Sequence, residues 1–171
     1  MLPTMGEKQP GWDEYFLKLA EQVAWRSRDT HCQVGAVIAR EGSKEDGNVV
    51  LATGHNGFAR GVEDDDEIYQ DKEEKLRWMV HAEANAIFNA ARVGISLNGA
   101  TIYVTKFPCI MCANAIIQVG IKRVYTLDGA PWKNDPLDEN GARALRVLMD
   151  APILISARNF PGFGLPPAES A

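Results

Sequence analysis

The 171-residue chain has little of what marks several special classes of protein. No apolar run approaches the roughly 18 residues of a membrane-spanning helix. The first residues, MLPTMGEKQPGWDE, lack the basic and apolar stretches of a secretory signal. A formal net charge of −5 offers no basic excess to neutralise phosphates, which argues against a general nucleic-acid binder. We therefore expect neither a membrane nor a nucleic acid among its partners.

Cysteine is also scarce. Three cysteines, at positions 32, 109 and 112, form an odd set without a predicted export signal, which argues against a disulfide framework and favours a reducing cytoplasm. The pair three residues apart indicates metal or redox chemistry. The hydrophobic share of 46% is enough for one core. We predict a single domain over residues 12–157, with terminal arms at 1–11 and 158–171.

Hydrophobic periodicity predicts strands that alternate with helices after an initial hairpin, which is typical of a layered α/β domain with a mixed sheet. Helices are predicted from Trp12 onward and over 81–92, 109–119 and 140–149; strands are predicted over 35–39, 49–52, 100–105, 123–127 and 153–156.

Two loops are predicted between the second strand and the second of these helices. The first, GHNGFARG at 54–61, carries three glycines and would let the backbone approach a ligand closely. The second, EDDDE at 63–67, is expected to be a solvent-exposed loop. Trp78 and Met79, just before the next helix, are predicted to be buried. Cys32 is expected to be a small buried apolar residue.

Three fragments carry the chemistry: His81-Ala82-Glu83, Pro108-Cys109 and Cys112. Zinc binds four ligands tetrahedrally, and a catalytic site leaves one position open for water. One imidazole and two thiolates would supply three ligands, with no nearby fourth cysteine or histidine to close the shell. Each half lies at the start of a predicted helix, so the positive helix ends would stabilise the thiolates.

Glu83, two residues after the histidine, can reach the open zinc position without being a ligand. There it could take a proton from the zinc-bound water, so that hydroxide attacks an amidine-like ring carbon and ammonia leaves. A C-x-x-C pair alone also fits a redox or structural zinc site. The joint pattern H-x-E … P-C-x-x-C is the signature of zinc deaminases and favours catalysis.

With these residues in place, the chain resembles the deoxycytidylate (dCMP) deaminase family of the cytidine deaminase superfamily. The resemblance covers roughly residues 12–124 and rests on the stretches WDEYFLKLAEQVAWRSRDTHCQVGAVIA, ATGHNGFARG, HAEANAIFNAA and GATIYVTKFPCIMCANAIIQVGIKRVY. It implies a three-layer α/β/α sandwich around a five-stranded mixed sheet. It also implies deamination of dCMP to dUMP and ammonia, with zinc-bound hydroxide attacking C4.

The resemblance assigns roles residue by residue. His81, Cys109 and Cys112 match the zinc ligands, and Glu83 matches the proton shuttle. Further positions match substrate-binding ones: Asn56 for the sugar or base, Ala82 and the segment from Thr105 through Lys106 to Pro108 for the base pocket, and Trp132 near the nucleotide. The family usually has proline at position 59 and an aromatic residue at position 55, where this chain has Ala59 and His55.

A nucleotide substrate requires local cations in an acidic chain. Arg60 in the glycine-rich loop is the first candidate for the phosphate, and the other candidates are Arg26, Arg28, Lys106 and Lys133. The family resemblance also implies the effectors dCTP and dTTP, with Mg²⁺ on the nucleotide effector, and a homo-oligomer such as a hexamer. The acidic run 63–67 would be the place for that Mg²⁺.

Two other hypotheses remain at this point. The substrate could be another small molecule, such as cytidine, deoxycytidine, a 5-modified dCMP or guanine. A protein of a different class, a zinc-stapled binding module for RNA, would need a closed metal shell and a basic face. Glu83 and the net charge of −5 both count against that module.

Overall fold

The computed structural model describes residues 9–43, 45–127 and 139–158, which form six helices and five strands. The helices are α1 (Trp12–Ala24), α2 (Asp66–Gln70), α3 (Lys72–Trp78), α4 (Ala82–Arg92), α5 (Ile110–Gln118) and α6 (Glu139–Asp150). The strands are β1 (Gly35–Arg40), β2 (Val49–His55), β3 (Thr101–Val104), β4 (Arg123–Thr126) and β5 (Leu154–Ala157). Within this part of the chain, each helix is too short or too polar to cross a membrane. Trp132, Lys133 and most of both predicted arms lie outside the described residues.

The five strands form one mixed sheet in the order β2-β1-β3-β4-β5. Strand β1 pairs antiparallel with both β2 and β3. The β3–β4 and β4–β5 pairs are parallel, because α5 and α6 each return the chain to the same end of the sheet. The predicted hairpin and the two helical crossovers are therefore confirmed.

Helices cover both faces of the sheet, as the alternation along β1 requires. Ala36 and Ile38 face a core that α4, α5 and α6 complete. Val37 and Ala39 face the other side, where they pack with Phe16 of α1 and other apolar residues. The predicted three-layer α/β/α sandwich is confirmed.

Two glycines let helices lie directly on the sheet. A Cβ on Gly54 would lie 2.3 Å from the backbone nitrogen of Ala86 and 2.4 Å from the carbonyl oxygen of Ala82, so β2 touches α4 backbone to backbone. A Cβ on Gly35 would collide in the same way with the carbonyl oxygen of Ala20 in α1. The first contact fixes the start of α4 relative to the sheet.

The segment between β2 and α4 differs from the prediction. Helix α2 begins inside the acidic run, because Asp65 accepts hydrogen bonds from the backbone N–H groups of Glu67 and Ile68 as its N-cap. Asp71 caps α3 in the same way. The expectation of a loop throughout 63–67 is therefore wrong, although the run is exposed. Trp78 was expected to be buried and is 44% exposed, because α3 turns this face to solvent.

Candidate active site

Two helix starts bring the three predicted zinc ligands together. His81 is the N-cap of α4 and Cys109 is the N-cap of α5, while Cys112 lies in the first turn of α5. Their ligating atoms all lie within 4.8 Å of one another. Residues 28 and 31 positions apart in sequence thus meet where two helices begin side by side on one face of the sheet.

The spacing of these atoms fits a zinc ion. His81 Nδ1 lies 3.4 Å from Cys109 Sγ and 3.5 Å from Cys112 Sγ. Zinc–sulfur bonds of about 2.3 Å and zinc–nitrogen bonds of about 2.0 Å at tetrahedral angles separate such ligands by about 3.5 Å. The three side chains therefore have the chemistry and the spacing to hold zinc, with the fourth position left open.

The electrostatics of the two cysteines favour a thiolate. A hydrogen bond from the Cys112 thiol, with a further contribution from His81, lowers the pKa of Cys109 to about 4. The same hydrogen bond to Cys109, together with burial, raises the pKa of Cys112. The hydrogen bond with Cys109 also raises the pKa of His81. This environment favours the thiolate form of Cys109, and thiolates are the form of cysteine that binds zinc.

Glu83 lies in the first turn of α4, on the buried side beside this group. The residue is 4% exposed, and burial raises the pKa of its carboxyl above its usual range. The carboxyl also interacts electrostatically with His81 and Cys109 and shares a hydrogen bond with Cys112. A buried carboxyl with a raised pKa next to a metal site is suited to carry a proton.

A cavity of about 650 Å³ opens over this group, and its lining includes His81, Glu83 and Cys109. Its volume lies within the usual range for a small-molecule site. The lining also includes residues of the loop between α1 and β1, of α2–α3 and of the segment after β3. The chemistry-bearing side chains thus open onto a space that fits a nucleotide-sized molecule.

Several predicted substrate-binding residues lie at this cavity. Asn56, Ala82 and Lys106 line it. The Asn56 side chain donates to the carbonyl of Cys32 at 2.8 Å and accepts from the backbone N–H of Val34 at 2.8 Å, so it also fastens the loop before β1.

Thr105 and Pro108 are buried behind the cavity lining rather than in it. The Thr105 hydroxyl accepts a hydrogen bond from the backbone N–H of Gly35 at 3.2 Å, which ties the end of β3 to the start of β1. Pro108 directly precedes the N-cap of α5, as predicted for a residue without a backbone N–H.

Other expectations differ from what the structure shows. Arg60 is exposed, and its guanidinium donates to Asn89 at 2.8 Å, outside the cavity lining. Trp132 falls outside the described residues. Cys32, expected to be buried, is only half-buried, and Lys106 Nζ lies 3.1 Å from its Sγ. Cys32 lines the cavity, so part of its side chain borders open space.

The sequence reasoning missed a buried ion pair in the cavity lining. Lys75 Nζ lies 2.9 Å from Asp29 Oδ1, and both side chains are more than nine-tenths buried. Aspartate side chains commonly accept hydrogen bonds from backbone N–H groups two or three residues later in a turn. The sequence around Asp29 could therefore have predicted its contacts within the loop. Lys75 had none, because it lies among charged neighbours on a short helix.

The comparisons with known proteins agree with this geometry. The family model "Cytidine and deoxycytidylate deaminase zinc-binding region" matches residues 10–128. A probable deoxycytidylate deaminase of Drosophila melanogaster is 38% identical over 150 residues, covering 82% of this chain and 68% of that protein. A probable deoxycytidylate deaminase of Caenorhabditis elegans is 39% identical over 139 residues, covering 79% and 63%. The chain therefore spans about two thirds of the length of these relatives.

A solved structure shares the fold over most of the chain. The dCMP deaminase of cyanophage S-TIM5, in its apo form, aligns with a TM-score of 0.66 and 25% identity, covering 88% of this chain and 99% of that one. The family model spans more than half of the sequence and includes the His81 and Cys109 helices. The chain belongs to the cytidine and deoxycytidylate deaminase family of zinc-binding proteins.

Proposed function

We propose that the protein is a zinc-dependent dCMP deaminase that converts dCMP and water to dUMP and ammonia. The observation that carries this proposal is the buried Glu83 carboxyl beside a zinc-spaced His-Cys-Cys group at the base of a nucleotide-sized cavity. The similarity to deoxycytidylate deaminases of two animals supports the choice of substrate.

In this proposal His81, Cys109 and Cys112 would hold zinc, which would supply the activation of a water molecule for attack on C4 of the cytosine ring. The N-terminal ends of α4 and α5 stabilise the two thiolates through their partial positive charge. Both ends are fixed by the core, so the ligands are held in place before substrate arrives. This arrangement supports catalysis over a closed structural site because only three protein ligands converge among the described residues.

Glu83 moves the protons. Its carboxylate takes a proton from the attacking water and gives it to N3 of the ring, which leaves a hydroxyl on C4. It then carries the proton of that hydroxyl to the 4-amino group. The bond from C4 to that nitrogen then breaks, the C4 carbonyl forms, and ammonia leaves. Its raised pKa favours a carboxyl that holds a proton during part of this cycle.

The walls of the cavity suit an anionic substrate. A nucleotide phosphate carries almost two negative charges. Lys72, Lys75 and Lys106 line the cavity although the whole chain has a net charge of −5. Lys75 is paired with Asp29, so Lys72 and Lys106 are the cations we assign to the 5′-phosphate.

The remaining predicted residues have supporting roles in this proposal. Asn56 binds the sugar or base, the backbone of Ala82 and of residues 105–108 shapes the base pocket, and Trp132 lies near the nucleotide. Arg60 remains a predicted phosphate contact, but its bond to Asn89 and its place outside the lining favour the lysines instead.

Ammonia release by the zinc-loaded protein tests the proposal. We expect turnover of dCMP to exceed that of deoxycytidine and CMP in kcat/KM. Lys106→Met should raise KM for dCMP about tenfold without affecting deoxycytidine, because one charged phosphate contact is lost. Lys122→Met serves as the matched control, since Lys122 is exposed away from the cavity.

Zinc-loaded protein that releases no ammonia from dCMP would overturn the proposal. Preference for another small substrate, such as guanine or free cytidine, would overturn the choice of dCMP but keep a deaminase. We further propose that residues 12–157 form one domain with terminal arms at 1–11 and 158–171. The protein would be a cytoplasmic homo-oligomer such as a hexamer. Its activity would be regulated by dCTP and dTTP, with Mg²⁺ bound to the effector. Sedimentation with and without these nucleotides and Mg²⁺ tests the assembly.

A further inference from the structure

Asp29 is a buried acid in the loop between α1 and β1. Its side chain is 6% exposed, and it lines the cavity above Glu83. One carboxylate oxygen, Oδ1, accepts from Lys75 Nζ at 2.9 Å and from the backbone N–H groups of His31 and Cys32 at 3.1 and 3.2 Å. Three donors on one oxygen hold the carboxylate in a fixed orientation.

Lys75 connects the Asp29 carboxylate to a second wall of the cavity. It is the one buried side chain of α2 and α3, and its ammonium is 8% exposed. The ion pair joins the loop before β1 to α3 across the cavity lining. Its positive charge compensates the burial of the Asp29 carboxylate, which would otherwise be costly.

The second carboxylate oxygen, Oδ2, has no donor among the described residues. Among the described residues, Arg123 Nε is the one fully buried side-chain nitrogen or oxygen that lacks a hydrogen-bond partner, so Oδ2 is not fully buried. Oδ2 therefore has access to open space, and Asp29 borders the cavity. A carboxylate oxygen can only accept, so whatever fills the cavity should bring a donor to it.

The functional groups of the substrate show which donor this would be, and the choice rests on the proposed function. The 5′-phosphate of dCMP is anionic and would be repelled by Asp29. The 4-amino group is at Glu83 and the metal. The one remaining donor of the nucleotide is the 3′-hydroxyl of the sugar. We propose that Asp29 Oδ2 accepts a hydrogen bond from the substrate 3′-hydroxyl and makes Asp29 a specificity-determining residue.

A substrate lacking that hydroxyl tests the inference. For the zinc-loaded wild-type chain we expect kcat/KM for dCMP to exceed that for 2′,3′-dideoxycytidine monophosphate about 10- to 100-fold, the usual range for a hydrogen bond to a charged group. In Asp29→Asn the amide oxygen can keep the Oδ1 hydrogen bonds, while a donor replaces Oδ2. The ratio should then fall to within about threefold of unity.

Two further variants make the result specific. Asp150→Asn changes an exposed acid at the end of α6, outside the cavity lining, and should keep the wild-type ratio. Asp29→Glu keeps the charge for Lys75 but moves the carboxylate by one methylene, and should also lower the ratio. It provides a second arm if Asp29→Asn does not fold.

The outcomes separate this inference from the proposed function. A wild-type chain that deaminates both substrates equally, or an Asp29→Asn chain that keeps full discrimination, overturns the inference and leaves the deaminase intact. No ammonia from dCMP overturns the proposed function. In that case, calorimetric binding of dUMP and its 3′-deoxy analogue decides the role of Asp29. We expect the wild-type chain to bind dUMP more tightly and Asp29→Asn to lose this preference. Equal affinities for the wild-type chain would overturn the inference.

Discussion

The base and one wall of the cavity are held in place by different kinds of contact. The base, residues 81–83 and 109–112, begins two helices whose apolar faces lie in the main core, with residues such as Ala86, Ile87 and Ile116 buried. The wall, α2 and α3, buries one side chain, and that side chain is Lys75.

The wall is attached through polar and aromatic contacts at its edges. Val80 pairs with Gly57 through two backbone hydrogen bonds, and the Phe58 ring stacks on Tyr69 with centroids 4.5 Å apart. Lys75 adds the buried ion pair with Asp29. Close packing thus fixes the candidate zinc ligands and Glu83, whereas a few directional contacts place the residues that we propose select the substrate.

The largest expected effect is at the base. Glu83→Gln removes the proton carrier without changing the shape of the site, and kcat should fall by about 10²- to 10⁴-fold with little change in KM. Zinc content, measured by atomic absorption, should stay at the wild-type value. Glu45→Gln, in the exposed turn between β1 and β2, is the control and should keep full activity. Retention of more than a tenth of the activity in Glu83→Gln would contradict the assignment.

The second-largest expected effect is on the stability of the wall. Lys75→Met leaves the Asp29 carboxylate buried without its partner, and the free energy of unfolding in urea should drop by about 3 kcal/mol. Arg28→Met, in an exposed pair with Asp66 at 2.8 Å, should cost less than about 1 kcal/mol. Equal costs for the two variants would show that the wall does not depend on its buried pair.

The smallest of the three effects probes how closely α4 lies on the sheet. Gly54→Ala places a Cβ against the backbone of Ala82 and Ala86, so α4 must move away from β2, at a cost of about 1–3 kcal/mol. Gly57→Ala is the matched control, because its Cβ would meet only the His55 ring at 3.7 Å. Thermal unfolding and kcat should both fall for Gly54→Ala and stay near wild type for the control. No difference between the two variants would contradict the role of this contact.

Much of the fold could be predicted because its elements have strong local signals. The helix at 82–92 ends before Gly94 and the helix at 110–118 before Gly120, and both glycines have positive φ. Helices α2 and α3 were missed because they are five and seven residues long and too polar to show an apolar stripe. Their capping aspartates, Asp65 and Asp71, were the available signal.

The candidate site divides in the same way. The motif residues His81, Glu83, Cys109 and Cys112 were selected from sequence, and the structure places them together at two adjoining helix starts. Asp29 and Lys75 lie 46 positions apart with no motif in common, so their pairing could not be anticipated. Among the phosphate candidates chosen from the sequence, Lys106 lines the cavity and Arg60 does not, and the fold adds Lys72, which the sequence did not single out.

The sequence by itself determined the chemistry, because a histidine, two cysteines and a glutamate at these spacings have few uses other than a catalytic zinc site. The tertiary structure decided which side chains line the cavity beside these groups. Those contacts join distant segments and depend on how helices and loops pack, which local patterns of residues do not encode.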